Sequence, residues 1–137
     1  MQNEREREKN KLPPLRILLV DDNAQFLESA ARALTAVPSI EIAGRALSGH
    51  EALEQVTQLQ PDLVLMDVAM PNMNGLEATR HIKARPNAPR VVILTLHDAP
   101  EYRAAAEAVG ADDFVSKAEF DAQVLPLIHA LRDEKGT

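Results

Sequence analysis

The sequence predicts an α/β domain, a five-stranded parallel sheet covered by helices on both faces in the order (βα)5. Three observations carry that prediction. Five short apolar runs alternate with helix-length segments whose apolar residues recur at i, i+3 and i+4. Two of the runs, Ile17–Val20 and Leu63–Met66, are uninterrupted, as strands buried on both faces must be. The chain has 137 residues, enough for one cored domain and too few for two.

Residues 1–11 carry seven charges of alternating sign with only Met1 as an apolar anchor, and Pro13-Pro14 follows them. Residues 1–14 are therefore read as a charged, flexible extension, 15–132 as the domain, and 133–137 as a C-terminal tail. The first strand is placed at Arg16–Val20, and its helix turns Phe26, Ala30, Ala33, Leu34 and Val37 to one face. The second strand, Ile40–Ala46, contains Glu41 and Arg45 and suits a sheet edge. Ser48-x-x-Glu51 is a capping box opening a helix with Leu53, Val56 and Leu59 inward. The third strand, Asp62–Met66, precedes a helix that begins near Asn74 and buries Leu76, Ala78 and Ile82. After the fourth, Arg90–Leu94, the segment Asp98-Ala-Pro100-Glu101 places an N-cap before a proline in the first helical turn, and Gly110 ends that helix. The fifth strand is Asp113–Val115, and the last helix uses Val124, Leu127, Ile128 and Leu131. Pro126 predicts a late start or a bend there, because a proline inside a helix loses a hydrogen bond and clashes with the preceding turn.

Composition removes several function classes. The net charge of −6 argues against a phosphate-backbone binder, whose affinity comes from clustered Lys and Arg. The aromatic residues are Phe26, Tyr102, Phe114 and Phe120, too few for a base-stacking platform. The absence of cysteine excludes disulfides, thiolate metal sites and thiol nucleophiles. No apolar run approaches the ~20 residues of a spanning helix or the core of a signal peptide, so the expected location is the cytoplasm. His50, His81, His97 and His129 share no helical pairing, and nothing points to a transition-metal site.

In open α/β sheets the working crevice lies beyond the carboxyl ends of the strands. Asp21-Asp22 follows the first run, Asp67 the third, Thr95 the fourth and Ser116-Lys117 the fifth. Three carboxylates, a hydroxyl and an ammonium are thus predicted to converge on one edge. Crowded carboxylates repel one another and call for a cation, and an oxygen-only acidic set suits Mg²⁺. A carboxylate can also serve as nucleophile, so the arrangement points to phosphoryl transfer onto an Asp. Each residue alone has a plainer structural explanation: an Asp pair before a helix is commonly an N-cap. The joint placement after four strands out of five carries the inference.

The segments Ile17-Leu-Leu-Val-Asp-Asp22, Pro61-Asp-Leu-Val-Leu-Met-Asp67-Val-Ala-Met-Pro71-Asn-Met-Asn-Gly75, Val91-Val-Ile-Leu-Thr95 and Gly110-Ala-Asp-Asp-Phe-Val-Ser-Lys117 together resemble the response regulator receiver family of two-component signalling. The resemblance spans Leu15 to Arg132. Around Asp67–Arg80 it looks most like receivers attached to helix-turn-helix output domains. It implies a flavodoxin-like doubly wound sheet in the order 2-1-3-4-5. It also implies a phosphorylation-activated switch, not a turnover enzyme, that takes a phosphoryl group from a sensor histidine kinase or phosphotransfer protein. Carried over residue by residue, Asp67 is the phosphoacceptor. Asp21 and Asp22, the latter directly, would bind Mg²⁺ with Asp67 and the backbone carbonyl of Ala69. Lys117 would pair with the phosphoryl group, Thr95 would hydrogen-bond to it and move, and Phe114 would be the coupled aromatic switch. Gly75 would relax the turn after Pro71. The responding face would lie around Tyr102 and Phe114, read by a downstream protein or an output domain, with room for a homodimer.

The sequence departs from the family pattern in three places. Ala118 follows Lys117 where many members have a proline after a cis peptide. Leu96 follows Thr95 where a small residue is common, and its bulk would narrow access for donors. Ala69 and His97 occupy positions that tune the life of the acyl-phosphate: Ala69 cannot orient water and His97 could donate to the phosphoryl group, so slow self-dephosphorylation is expected. Other classes are weaker. A phosphatase would need a carboxylate where Ala69 stands, and a flavin or nucleotide site would need a Gly/Ser/Thr-rich first loop where Asp21-Asp22 stands. A phosphorylation-independent interaction module and the receiver of a DNA-binding regulator are the alternatives kept.

Overall fold

A computed structural model describes residues 13–96 and 100–136. Residues 1–12 of the predicted 1–14 extension, His97 and the Asp98 cap lie outside the described residues. The elements are β1 (Leu15–Val20), α1 (Ala24–Thr35), β2 (Ile40–Ala46), α2 (Gly49–Leu59), β3 (Leu63–Asp67), α3 (Gly75–Lys83), β4 (Arg90–Thr95), α4 (Pro100–Ala108), β5 (Asp113–Ser116), a 3₁₀ turn (Lys117–Glu119) and α5 (Phe120–Gly136). The strands form one parallel sheet in the order β2-β1-β3-β4-β5, the flavodoxin-like arrangement. The two uninterrupted apolar runs are central strands, and the charged β2 is an edge, as the patterning required.

Side chains alternate between the two faces of the sheet, producing two cores. Ile17, Leu19, Leu63, Leu65, Val92 and Leu94 pack with residues of α1 and α5. Leu18, Val20, Val64, Met66, Val91 and Ile93 pack with residues of α2, α3 and α4. Helix starts follow the side-chain caps. Asn23 Oδ1 accepts from the Gln25 and Phe26 amides, Ser48 Oγ from Glu51 N at 3.1 Å, and Asn74 Oδ1 from Glu77 N at 2.9 Å.

Three local expectations need correction. The buried stripe of α1 is Leu27, Ala30, Ala31 and Leu34, while Ala33 is exposed. Leu27 buries more apolar surface than Ala33 could, and it rotates the helix accordingly. The last helix starts early, at Phe120, and runs through Pro126 to Gly136. Phe120, Val124 and Ile128, spaced i, i+4, i+8, are all buried in the α1/α5 core. Burying three such side chains, at roughly 1.5–3 kcal/mol each, outweighs the ~3 kcal/mol cost of an interior proline. Asp67 and Thr95 are the last residues of their strands, not the residues after them. There is no cis peptide among the described residues, so the Lys117–Ala118 bond is trans.

Candidate functional site

The chain leaves β1 toward β2 and then crosses back to β3, so the sheet order reverses between β1 and β3 and opens a crevice at their carboxyl ends. Asp21 and Asp22 follow β1 at this point, and Asp67 ends β3 beside them. Asp21 is held by its own turn: its Oδ1 accepts the Asn23 N–H at 2.9 Å. The backbone of Val68, the residue after Asp67, is fixed from two sides, by Val68 N–H donating to Leu94 O at 3.2 Å and Gly75 N–H donating to Val68 O at 3.0 Å. A Cβ on Gly75 would lie 1.9 Å from the Asp67 carbonyl oxygen. Gly75 is needed for this close approach of α3 to the end of β3, not to relax a turn. Buried Thr79 secures the same helical turn, its Oγ1 donating to Gly75 O at 2.7 Å.

Carboxylate oxygens of Asp21, Asp22 and Asp67 lie within 4.8 Å of one another. Lys117, the first residue of the 3₁₀ turn after β5, reaches across to bridge two of them. Its Nζ is 2.5 Å from Asp21 Oδ2 and 2.9 Å from Asp67 Oδ1. Burial pushes the Asp67 pKa above the ordinary 3.8; the Lys117 hydrogen bond opposes that, and the Asp21 and Asp22 charges reinforce it. For Lys117, burial alone would lower the pKa, but hydrogen bonds to Asp21 and Asp67 and the charges of both raise it above 10.5. The ammonium therefore stays charged at neutral pH.

These groups line a cleft of about 210 Å³ with Ala69, Thr95, Leu96 and Tyr102. At about 30 Å³ per water, it has room for a phosphoryl group and several waters. Thr95 is buried in the wall, whereas Leu96 is 70 % exposed at the rim. Phe114 is buried below the sheet edge, with the Arg103 guanidinium 4.7 Å from its ring centroid. The structure thus gathers Asp21, Asp22, Asp67, Ala69, Thr95, Leu96 and Lys117 in one cleft and leaves Phe114 outside it. Sequence reasoning missed Phe26, whose ring lies 4.6 Å from Lys117 Nζ, and it set Tyr102 on an outer face without seeing that it lines the cleft. A larger cavity of about 560 Å³ at the opposite end of the sheet brings together only Asp62 and Arg85 as charged groups. Both are engaged in structure, Asp62 accepting from Arg16 N and Arg85 donating to Thr57.

The model for the response regulator receiver domain matches residues 17–129. The chain belongs to the response regulator receiver family. It is 39% identical over 106 residues to a protein-glutamate methylesterase/protein-glutamine glutaminase of Koribacter versatilis, covering 76% of this chain and 29% of that protein. The chain spans about 30% of the length of the methylesterase relatives it matches. Among solved structures, a LuxR-family two-component response regulator from Aurantimonas is 32% identical with a TM-score of 0.81, covering 86% and 84% of the two chains. The response regulator domain of Thermotoga maritima CheB is 30% identical with a TM-score of 0.78, covering 90% and 98%. This receiver is a phosphorylation-activated signalling switch, a phosphoacceptor of the class served by histidine kinases or phosphotransfer proteins. Among the described residues no helix is long and apolar enough to cross a membrane.

Proposed function

We propose that Asp67 is the phosphoacceptor, within a receiver domain of residues 15–132, and that Asp21, Asp22, Asp67 and the Ala69 backbone carbonyl hold Mg²⁺. The observation that carries this reading is the Lys117 ammonium bridging Asp21 and Asp67 inside a cleft of three carboxylates. The residues fit a hard cation. The donor set is all oxygen, and buried Asp21 Oδ2 has only the Lys117 ammonium against it. Bound Mg²⁺ supplies positive charge to the oxygens of the transferring group.

A carboxylate oxygen of Asp67 attacks phosphorus, the bond from phosphorus to the donor breaks, and an aspartyl-phosphate forms. Lys117 moves its charge from the Asp67 carboxylate to the phosphoryl oxygens, and Thr95 donates its hydroxyl to one of them. That new contact favours an active conformer already present in the ensemble, with Phe114 as the coupled ring. A changed face around Tyr102 and Phe114 is then read by a downstream protein, a linked output domain or a second copy of the chain.

Replacing Asp22 by Asn is expected to weaken Mg²⁺ binding about tenfold or more, read as displaced saturation of the residue 21–23 amide signals in an NMR titration. Unchanged saturation would remove Asp22 from the ligand set. The phosphorylated form should lose phosphate slowly, because Ala69 offers no group to orient water. A half-life equal to that of the Ala69→Asn, His97→Ala variant would refute this.

A further inference from the structure

The Lys117 ammonium has three donors, and carboxylates on Asp21 and Asp67 account for two faces of it. On another side stands the ring of Phe26, its centroid 4.6 Å from Nζ. That ring does not float. Its edge meets the buried Phe120 ring at 5.5 Å between centroids and 81° between planes. Phe26 lies in the first turn of α1 just after the Asp21-Asp22 pair, and Phe120 is the first residue of α5. The 3₁₀ turn Lys117–Glu119 places Lys117 and Phe120 three residues apart. The same short segment therefore supplies both the ammonium and the ring that braces its aromatic seat.

We propose that Phe26 is a positioning residue for phosphoryl transfer, a π-face on which the Lys117 ammonium pivots from carboxylate to phosphoryl oxygen. This rests on the reading of Asp67 and Lys117 given above. The physical reason is a difference in directionality. Hydrogen bonds to Asp21 and Asp67 depend on angle and weaken as the ammonium turns toward a new partner. Attraction to the ring quadrupole depends mainly on the distance from cation to centroid, so it persists through the turn. Its share of the holding force is larger in the transition state than in the resting site, which is the condition for affecting rate. The ring also covers one side of the ammonium with apolar surface, keeping water from competing for the charge.

The test replaces Phe26 by phenylalanines carrying increasing numbers of ring fluorines, which weaken the π-face while keeping the shape. With Mg²⁺ and a small acyl-phosphate donor, the phosphorylation rate should fall stepwise, to about one-fifth at the highest fluorination. Mg²⁺ saturation should stay at the wild-type value, and each variant should remain folded at the assay temperature. Phe26→Leu should show a similar slowing and Phe26→Tyr should restore the rate. The Lys117 Hε protons should lose their upfield ring-current shift in the Leu variant and keep it in Tyr. A wild-type rate across the fluorinated series, or in a folded Leu variant, would overturn the role of Phe26 alone. Failure of the wild-type protein to accept phosphate from either acyl-phosphate or a histidine kinase would overturn the reading of the site and the role of Phe26 with it.

Discussion

Gly75→Ala is expected to lower the melting temperature by roughly 4–12 °C and to slow phosphorylation by about tenfold or more. The added Cβ would sit 1.9 Å from the Asp67 carbonyl oxygen and 2.8 Å from its carbonyl carbon. Both are backbone atoms, so no rotamer change can relieve the contact, and either α3 or the end of β3 must move. Overpacking of this kind costs about 1–3 kcal/mol. A shift of β3 would carry Asp67 away from Lys117, now 2.9 Å distant. Thermal unfolding and phosphorylation kinetics measured on the same preparation check the two effects together. Wild-type behaviour in both would mean that the approach of α3 to Asp67 is not constrained as described.

Asp67→Asn is expected to do the opposite to stability at neutral pH, raising the melting temperature by roughly 2–8 °C in metal-free buffer. The Asp67 carboxyl is buried beside Asp21 and Asp22, and its folded pKa lies above the unfolded 3.8. The folded state therefore binds that proton more tightly than the unfolded chain does. The sign follows: Asp67 destabilises the fold once pH has risen past its folded pKa, and the penalty fades as pH falls toward 3.8 and below. Asparagine removes the charge while keeping size and an acceptor. The gain should be largest near neutrality and vanish in acid, as followed by circular dichroism across pH. A variant less stable than wild type at neutral pH would contradict the electrostatic account of the cleft. Stability given up at the site is what a cation-binding, phosphate-accepting carboxylate cluster entails.

The sheet was legible because burial on two faces leaves an unmistakable signature in β1 and β3, whose apolar runs have no polar interruption. Edge placement of β2 was legible for the converse reason, since Glu41 and Arg45 can reach solvent only from an edge. The acidic cleft could be read from chain position because parallel strands deliver their carboxyl ends to a common side. What stayed hidden depended on which neighbour a side chain meets. Phe26 and Phe120 are far apart in sequence, and only the packing of α1 beside α5 brings their rings together under Lys117. Gly75 looked like a turn residue because spacing cannot report a backbone approach from another element. Pro126 suggested a late start because local propensity is visible in sequence, while the tertiary burial of Phe120, Val124 and Ile128 that overrides it is not.

Phosphoryl acceptance at Asp67 is read by intact-mass measurement after incubation with Mg²⁺ and a small acyl-phosphate. The exposed rim residue Leu96 makes a purified histidine kinase the necessary second donor. The chain has no tryptophan, so mass serves where intrinsic fluorescence would not. A single phosphoryl adduct that requires Mg²⁺ and is absent from Asp67→Asn is the predicted result. An adduct that persists in Asp67→Asn, or none from either donor, would contradict it.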